Sequence, residues 1–188
     1  QAVVHGLGGV IDKVGADQVG CMASANCTTE EFYLLQSLMT QLGVKNIDHR
    51  LRETDVSDQA TQAVFPGLGM PVADIAKHDV IVLVGSYPKQ DQPIANHHIR
   101  QAVLHGATLV SINPYDHEFN CDVAETVAVS PAMMLETLAG IARALNADLD
   151  TVTPNEQQAR IANVLSSAEK PLLLLGNLAE QHSQAASL

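Results

Sequence analysis

Between Asp79 and Gly85 the chain runs Val80, Ile81, Val82, Leu83, Val84 without a polar residue. Side chains alternate between the two faces of a strand, so a run apolar on both faces must be covered on both. That is the situation of a strand in a parallel sheet flanked by helices. Gly85 stops the run, and the segment GSYPKQDQP leads from it into a helical pattern. In open parallel sheets, ligands bind at the loops beyond the carboxyl ends of the strands. What this chain does therefore turns on what that loop holds.

The surrounding pattern supports the same architecture. Leu7, Val10, Ile11 and Val14 recur at helical spacing up to Gly15, and Val19 to Ala23 reads as a short strand. Thr28 and Glu31 make a T-x-x-E capping box for a helix ending at Gly43, with Leu35, Leu38, Met39 and Leu42 on one face. A short strand is expected over 44–48. Residues 49–70 show no sustained period and read as a long irregular loop. Residues 72–77 give a turn or two of helix before the central strand. After it, Pro93 opens a helix with Ala95, Ile99, Ala102 and Val103 facing inward. Ala107 to Ile112 is a second two-sided strand and Thr126 to Val129 a shorter one. Ser130 and Pro131 then cap and start a helix carrying Met134, Leu138, Ile141 and Leu145. Thr153 and Glu156 form a second capping box with Pro154 at the first helical position, and Pro171 to Leu175 is a last strand. Strands alternating with helices predict a parallel α/β sheet with helices on both faces, of Rossmann-like type.

At 188 residues the chain suits one domain, and it is read as a single α/β domain over 1–188. Beginning at Gln1 and closing on a helical pattern at Leu188, it reads as a piece of a longer protein. Hydrophobic residues make up 46% but aromatics only 3%, so the core must be aliphatic. A formal net charge of −11 repels phosphate backbones and argues against nucleic-acid binding. No apolar run approaches the ~18 residues that a membrane-spanning helix needs, so direct membrane insertion is not expected. Cys21, Cys27 and Cys121 are odd in number and lack C-x-x-C spacing, which predicts free, buried thiols and no disulfide.

Other constellations reduce to plain readings. His97, His98 and His105 share a predicted helix, but its same-face pairs lie two turns apart, on the order of 10 Å, too far to share one metal ion. Ser86 follows a strand, yet GSYPK lacks the G-x-S-x-G elbow of a nucleophile. Asp48, His49 and Arg50 read as a polar strand end, and the HGLGG cluster precedes no phosphate-binding turn. No catalytic residue and no metal ligand is expected.

Four segments in order, at 28–52, 74–114, 123–145 and 168–182, resemble the molybdopterin oxidoreductase superfamily. They begin TTEEFYLLQ, DIAKHDVIVLVGSYP, VAETVAVSP and AEKPLLLLGN. Within it they look most like the large iron–sulfur subunits of respiratory complex I, the NADH:quinone oxidoreductases. Cofactor-bearing members of the superfamily carry G-[ST]-N-P after the central strand, I-D-P-R after the next, and P-G-[TS]-D later. Here the loops read Gly85-Ser86-Tyr87-Pro88, Ile112-Asn113-Pro114-Tyr115 and Ser130-Pro131-Ala132-Met133. The amide, the acid and the guanidinium are gone. A hydrogen bond to a charged group contributes about 1.5–3 kcal/mol, and about 1.4 kcal/mol is tenfold in affinity, so several losses make a poor ligand of a pterin dinucleotide.

The resemblance thus implies a non-catalytic scaffold domain with a degenerate pocket at Gly85, Ser86, Tyr87, Asn113, Tyr115 and Asp116. It implies no molybdopterin here, iron–sulfur clusters only in other parts of the parent chain, and other subunits of the complex I peripheral arm as partners. The expected location is the cytoplasmic side of the inner membrane. Two alternatives stand beside it: the pterin-binding fragment of a true molybdenum oxidoreductase such as a formate dehydrogenase, and a stand-alone binder of a small anionic ligand.

Overall fold

A computed structural model describes residues 2–24, 26–49, 55–61, 67–149 and 152–188. Its contacts divide the chain into two compact units, Gln1–Glu53 and Thr54–Leu188.

The first unit holds helix α1 (Ala2–Val14), strand β1 (Gly20–Met22), helix α2 (Thr29–Gln41) and strand β2 (Asn46–Asp48). The strands pair in parallel, Cys21 opposite Ile47, with α2 as the crossover. Thr28 starts α2 through the expected box: its hydroxyl accepts from the Glu31 amide, and the Glu31 carboxylate accepts from the Thr28 amide at 2.8 Å. Such a cap contributes about 1 kcal/mol. Of the expected apolar face of α2 only Met39 is buried, while Leu38 remains 49% exposed.

The second unit is built on strands β3 (Val80–Val84), β4 (Thr108–Asn113), β5 (Glu125–Ala128) and β6 (Pro171–Leu175). They form one parallel sheet in the order β5-β4-β3-β6, with Val82 opposite both Val110 and Leu173. Helix α3 (Pro88–Asp91) is a single turn, followed by α4 (Pro93–Leu104), α5 (Met134–Ala144), α6 (Glu156–Ser166) and a short α7 (Asn177–Glu180).

Central β3 is buried along its whole length. Val80, Val82 and Val84 face one core, shared with Val110, Ile112, Val127, Ile141 of α5 and Ile161 of α6. Ile81 and Leu83 face the other, shared with Leu109, Ile99 of α4 and Ile75 of the 3-10 turn Val72–Lys77. Helices therefore cover both faces of β3. Each such aliphatic side chain contributes about 1.5–3 kcal/mol on burial, which makes β3 the strand the rest must respect.

Three expectations change. The last strand is one-sided: Leu172 and Leu174 pack inward while Leu173 and Leu175 are 52% and 45% exposed, because β6 lies at the edge of the sheet, beyond the helices that cover its neighbours. The second capping box belongs to Asn155 and Gln158, not Thr153 and Glu156, and α6 starts two residues later than expected. Ser130 makes no side-chain cap; Pro131–Met133 is a 3-10 turn leading into α5. Within the predicted 49–70 loop, residues 55–61 form turns, with the Asp55 carboxylate accepting from the amides of Ser57 and Ala186. Residues 50–54 and 62–66 lie outside the described residues, and Arg50 with them.

Candidate functional site at the strand ends

Strands β3, β4, β5 and β6 present their carboxyl ends on one side of the sheet, because all four run parallel. Gly85 leaves β3 with φ +58, a left-handed conformation that favours glycine. Its amide donates to the Ile112 carbonyl at 2.9 Å and its carbonyl accepts from the Leu178 amide at 3.1 Å. The backbone at Gly176 passes so close to Gly85 and Ser86 that a side chain on residue 176 would collide with both. Loops after β3 and β6 are thus packed directly on one another.

The β4 end meets the same loop from the other side. Asn113 is 1% exposed, and its Nδ2 donates to the Ser86 carbonyl at 3.1 Å and to Ser111 Oγ at 2.9 Å. Its Oδ1 is buried and has no hydrogen-bond partner. Tyr87 lies half-buried with its ring stacked on His117, centroids 4.1 Å apart and planes 11° apart, and Phe119 meets it edge-on at 5.5 Å. Its hydroxyl donates to the Glu118 carbonyl at 2.9 Å, and Lys89 Nζ donates to the same oxygen at 3.0 Å.

The six residues singled out in the sequence separate here. Gly85, Ser86, Tyr87 and Asn113 come together around the β3 and β4 ends. Tyr115 turns outward at 71% exposure and Asp116 is exposed beside it. Sequence reasoning missed His117, Phe119, Lys89 and Gly176. The first two follow Tyr115 in NPYDHEF, and three aromatic or imidazole rings spaced by two in a loop were the available signal.

Chemically reactive groups are sparse. Burial and the neighbouring Asp122 carboxylate push the Cys121 thiol up, against a smaller pull from Arg100, so it is a weak nucleophile at neutral pH. All three cysteines are free, though half-buried rather than buried. Among the described residues no group of three or more His, Cys, Asp or Glu side chains could hold a metal ion. His97 and His98 touch each other edge to face at 5.3 Å, and His105 Nδ1 lies 2.7 Å from its own helix at the Gln101 carbonyl. No described helix is long and apolar enough to cross a membrane.

A parallel sheet with helices on both faces of its central strand, and glycine-led loops meeting at its strand ends, defines an α/β protein of the open parallel-sheet class. The family profile of the molybdopterin oxidoreductases matches residues 1–188, and the chain belongs to that family. Among curated proteins it is similar to the putative formate dehydrogenase YrhE of Bacillus subtilis, 30% identical over 115 residues, which is 57% of this chain and 12% of that protein. It is likewise 30% identical over 101 residues to the formate dehydrogenase subunit alpha of Megalodesulfovibrio gigas, covering 52% of this chain and 10% of the relative. The F420-dependent formate dehydrogenase subunit alpha of Methanocaldococcus jannaschii is 30% identical over 106 residues, 54% of this chain and 16% of its own length. The chain thus spans a small part of the relatives it matches.

The family's group is a molybdopterin, and the donors and acceptors at the strand ends test whether it fits. At the strand ends, the buried side-chain atom left without a partner among the described residues, Asn113 Oδ1, is an acceptor, and a pyrophosphate offers only acceptors. Lys89, the cation on this loop, is engaged by the Glu118 carbonyl, and the neighbouring Asp116 and Glu118 side chains add negative charge. The space between the β3 and β6 loops is filled by their own backbones. These residues do not fit the pyrophosphate of a pterin dinucleotide.

Proposed function

We propose that this chain is the α/β segment of the large subunit of a formate dehydrogenase-like oxidoreductase. The observation that carries the reading is the family match across the whole chain, together with formate dehydrogenases among its curated relatives. The reaction would be dehydrogenation of formate, carried out by parts of the parent outside these residues. This segment's share is structural: it supplies a rigid sheet whose strand ends support the surrounding protein. Its side chains perform no proton or electron transfer at the strand ends, where Ser86 is buried and Asn113 is engaged by backbone.

A second reading is favoured by the way the strand ends are filled. In it the segment is a scaffold in the large iron–sulfur subunit of NADH:quinone oxidoreductase. Iron–sulfur clusters would lie elsewhere in the parent, the partners would be subunits of the peripheral arm, and the location would be the cytoplasmic side of the inner membrane. Tyr87 where the cofactor-bearing motif has Asn, and its stack on His117, support this reading.

One purification separates the two. The intact parent is isolated from cells supplied with molybdate and assayed for formate-dependent dye reduction, NADH-dependent quinone reduction and bound molybdenum. Formate oxidation with stoichiometric molybdenum supports the first reading. NADH-linked activity with molybdenum at trace level rejects it in favour of the second.

A further inference from the structure

We infer that Tyr87 locks the strand ends of the large sheet into a closed junction, so that the loop which would hold a ligand holds its neighbouring loops instead. The inference goes beyond the proposed function and is the same for either parent. It rests on ties that join all four strands. The β3 and β4 loops are joined by Asn113 Nδ2 to the Ser86 carbonyl, and by the Tyr87 hydroxyl to the Glu118 carbonyl at 2.9 Å. The β3 and β6 loops are joined by the Leu178 amide to the Gly85 carbonyl and by the close approach of Gly176 to Ser86. The segment after β6 is joined to the β5 loop by the His182 ring, whose Nε2 lies 3.0 Å from the Pro131 carbonyl.

Within this set Tyr87 makes the contact that a smaller residue could not. An Asn in its place reaches neither the His117 ring nor the Glu118 carbonyl, since both contacts come from the far end of the phenol. The stack at 4.1 Å and the edge contact with Phe119 at 5.5 Å fall in the range where aromatic pairs attract beyond simple burial. Ring and hydroxyl together hold residues 117–119 over the loop, and Lys89 adds a charge-assisted bond to the same carbonyl. The ends of the segment are held separately, by Asn113 at its root and, beyond it, by Arg100 Nε donating to the Asn120 carbonyl at 3.2 Å and by Phe119 packing on the core beneath β3. Removing Tyr87 therefore loosens residues 117–119 while leaving the sheet beneath them intact.

The test is limited proteolysis of the intact parent protein under native conditions, comparing the wild type with Tyr87→Phe and Tyr87→Asn at the peptide bond after Glu118, which the tyrosine holds. Cleavage there by a glutamate-specific protease follows local opening of the segment. Losing one hydrogen bond of ordinary strength raises local opening about two- to tenfold, so Tyr87→Phe should speed that cleavage by the same factor. Tyr87→Asn, which also loses the stack, should speed it further, while hydrogen exchange of the β3 and β4 amides stays unchanged. If Tyr87→Asn fails to fold, Tyr87→Phe alone decides the matter. Unchanged cleavage after Glu118 in the variants overturns the lock. So does a wild-type parent that is cut faster there when cells are grown without molybdate, because a pterin would then occupy the junction. Formate oxidation reports on the parent's reaction and not on this cleavage, so the lock and the proposed function fail separately.

Discussion

The His182 ring reaches the carbonyl of Pro131, fifty-one positions earlier in the chain, at 3.0 Å. Its other nitrogen, Nδ1, accepts from the Gln184 amide at 3.0 Å, so the proton sits on Nε2 and donates to Pro131. The side chain is 8% exposed; the Gln184 amide has it as acceptor, and the Pro131 carbonyl accepts from it as well as from the Met134 amide. His182→Phe keeps the ring's bulk and leaves the Gln184 amide without its acceptor, while the Pro131 carbonyl keeps the Met134 amide. An orphaned group of this kind costs about 1–3 kcal/mol, so the variant should lose stability on that scale in urea unfolding. A midpoint equal to that of the wild type would show that solvent already serves that amide.

Gly140 of α5 and Gln158 of α6 are as closely coupled. A Cβ at position 140 would collide with the Gln158 side chain, which is fixed by its part in the Asn155 capping box. Ala is the better helix former by about 1 kcal/mol, and the cap is worth about 1 kcal/mol. Clash and lost cap together outweigh the propensity gain, so Gly140→Ala should destabilise. Gln158→Ala in the same chain gives the cost of the cap alone. In the double variant Gly140→Ala should turn neutral or stabilising, a coupling that a double-mutant cycle in thermal unfolding reads directly.

How much of this was written in the sequence depends on the range of the interaction. The two-sided run at Val80 to Val84 specifies its environment locally, and Thr28 with Glu31 specifies a helix start within four residues. At 153–158 two boxes overlap, Thr153 with Glu156 and Asn155 with Gln158, and spacing cannot choose between them; Asn, a stronger cap than Thr, wins. The run Leu172 to Leu175 looks as two-sided as β3, but lying at a sheet edge is a property of the topology and not of the run. The site was legible as a place: Gly85, Ser86 and Asn113 do meet at the strand ends. Its filling was not, because the Tyr87 stack joins residues thirty positions apart and no periodicity encodes such a pair.

Glu125 on β5 gives a pH-dependent test. The hydrogen bond from Arg160, then that from Gln157, holds its carboxyl below the usual carboxylate range, against a smaller desolvation that acts upward. A depressed folded value means the contribution to stability is complete above the unfolded value of about 4.3 and is lost as pH falls through the folded one. Arg160→Gln should shift the Glu125 titration upward in carboxyl-detected NMR and flatten the acid side of the stability profile. The pair is largely exposed on the arginine side, so the loss at pH 7 should be small and diminished by salt. A titration unmoved by the substitution would mean the ion pair is absent in solution.

Gly85 is where backbone geometry and site coincide. Its φ of +58 would cost an L-residue about 1–2 kcal/mol, and a Cβ there would lie 2.6 Å from the Ala179 amide nitrogen. The contact is with backbone and cannot be relieved by a rotamer change. Gly85→Ala must therefore displace either the β3 loop or α7, and α7 is held by the Leu178 and Ala179 amides bonding to Gly85 and Gly176. The expected result is a loss above about 2 kcal/mol, from strain and overpacking together. Faster exchange should accompany it at residues 177–180, with the β4–β5 amides unaffected. Wild-type stability in Gly85→Ala would mean that the β3 and β6 loops are not packed together, and the closed junction at the strand ends would fall with them.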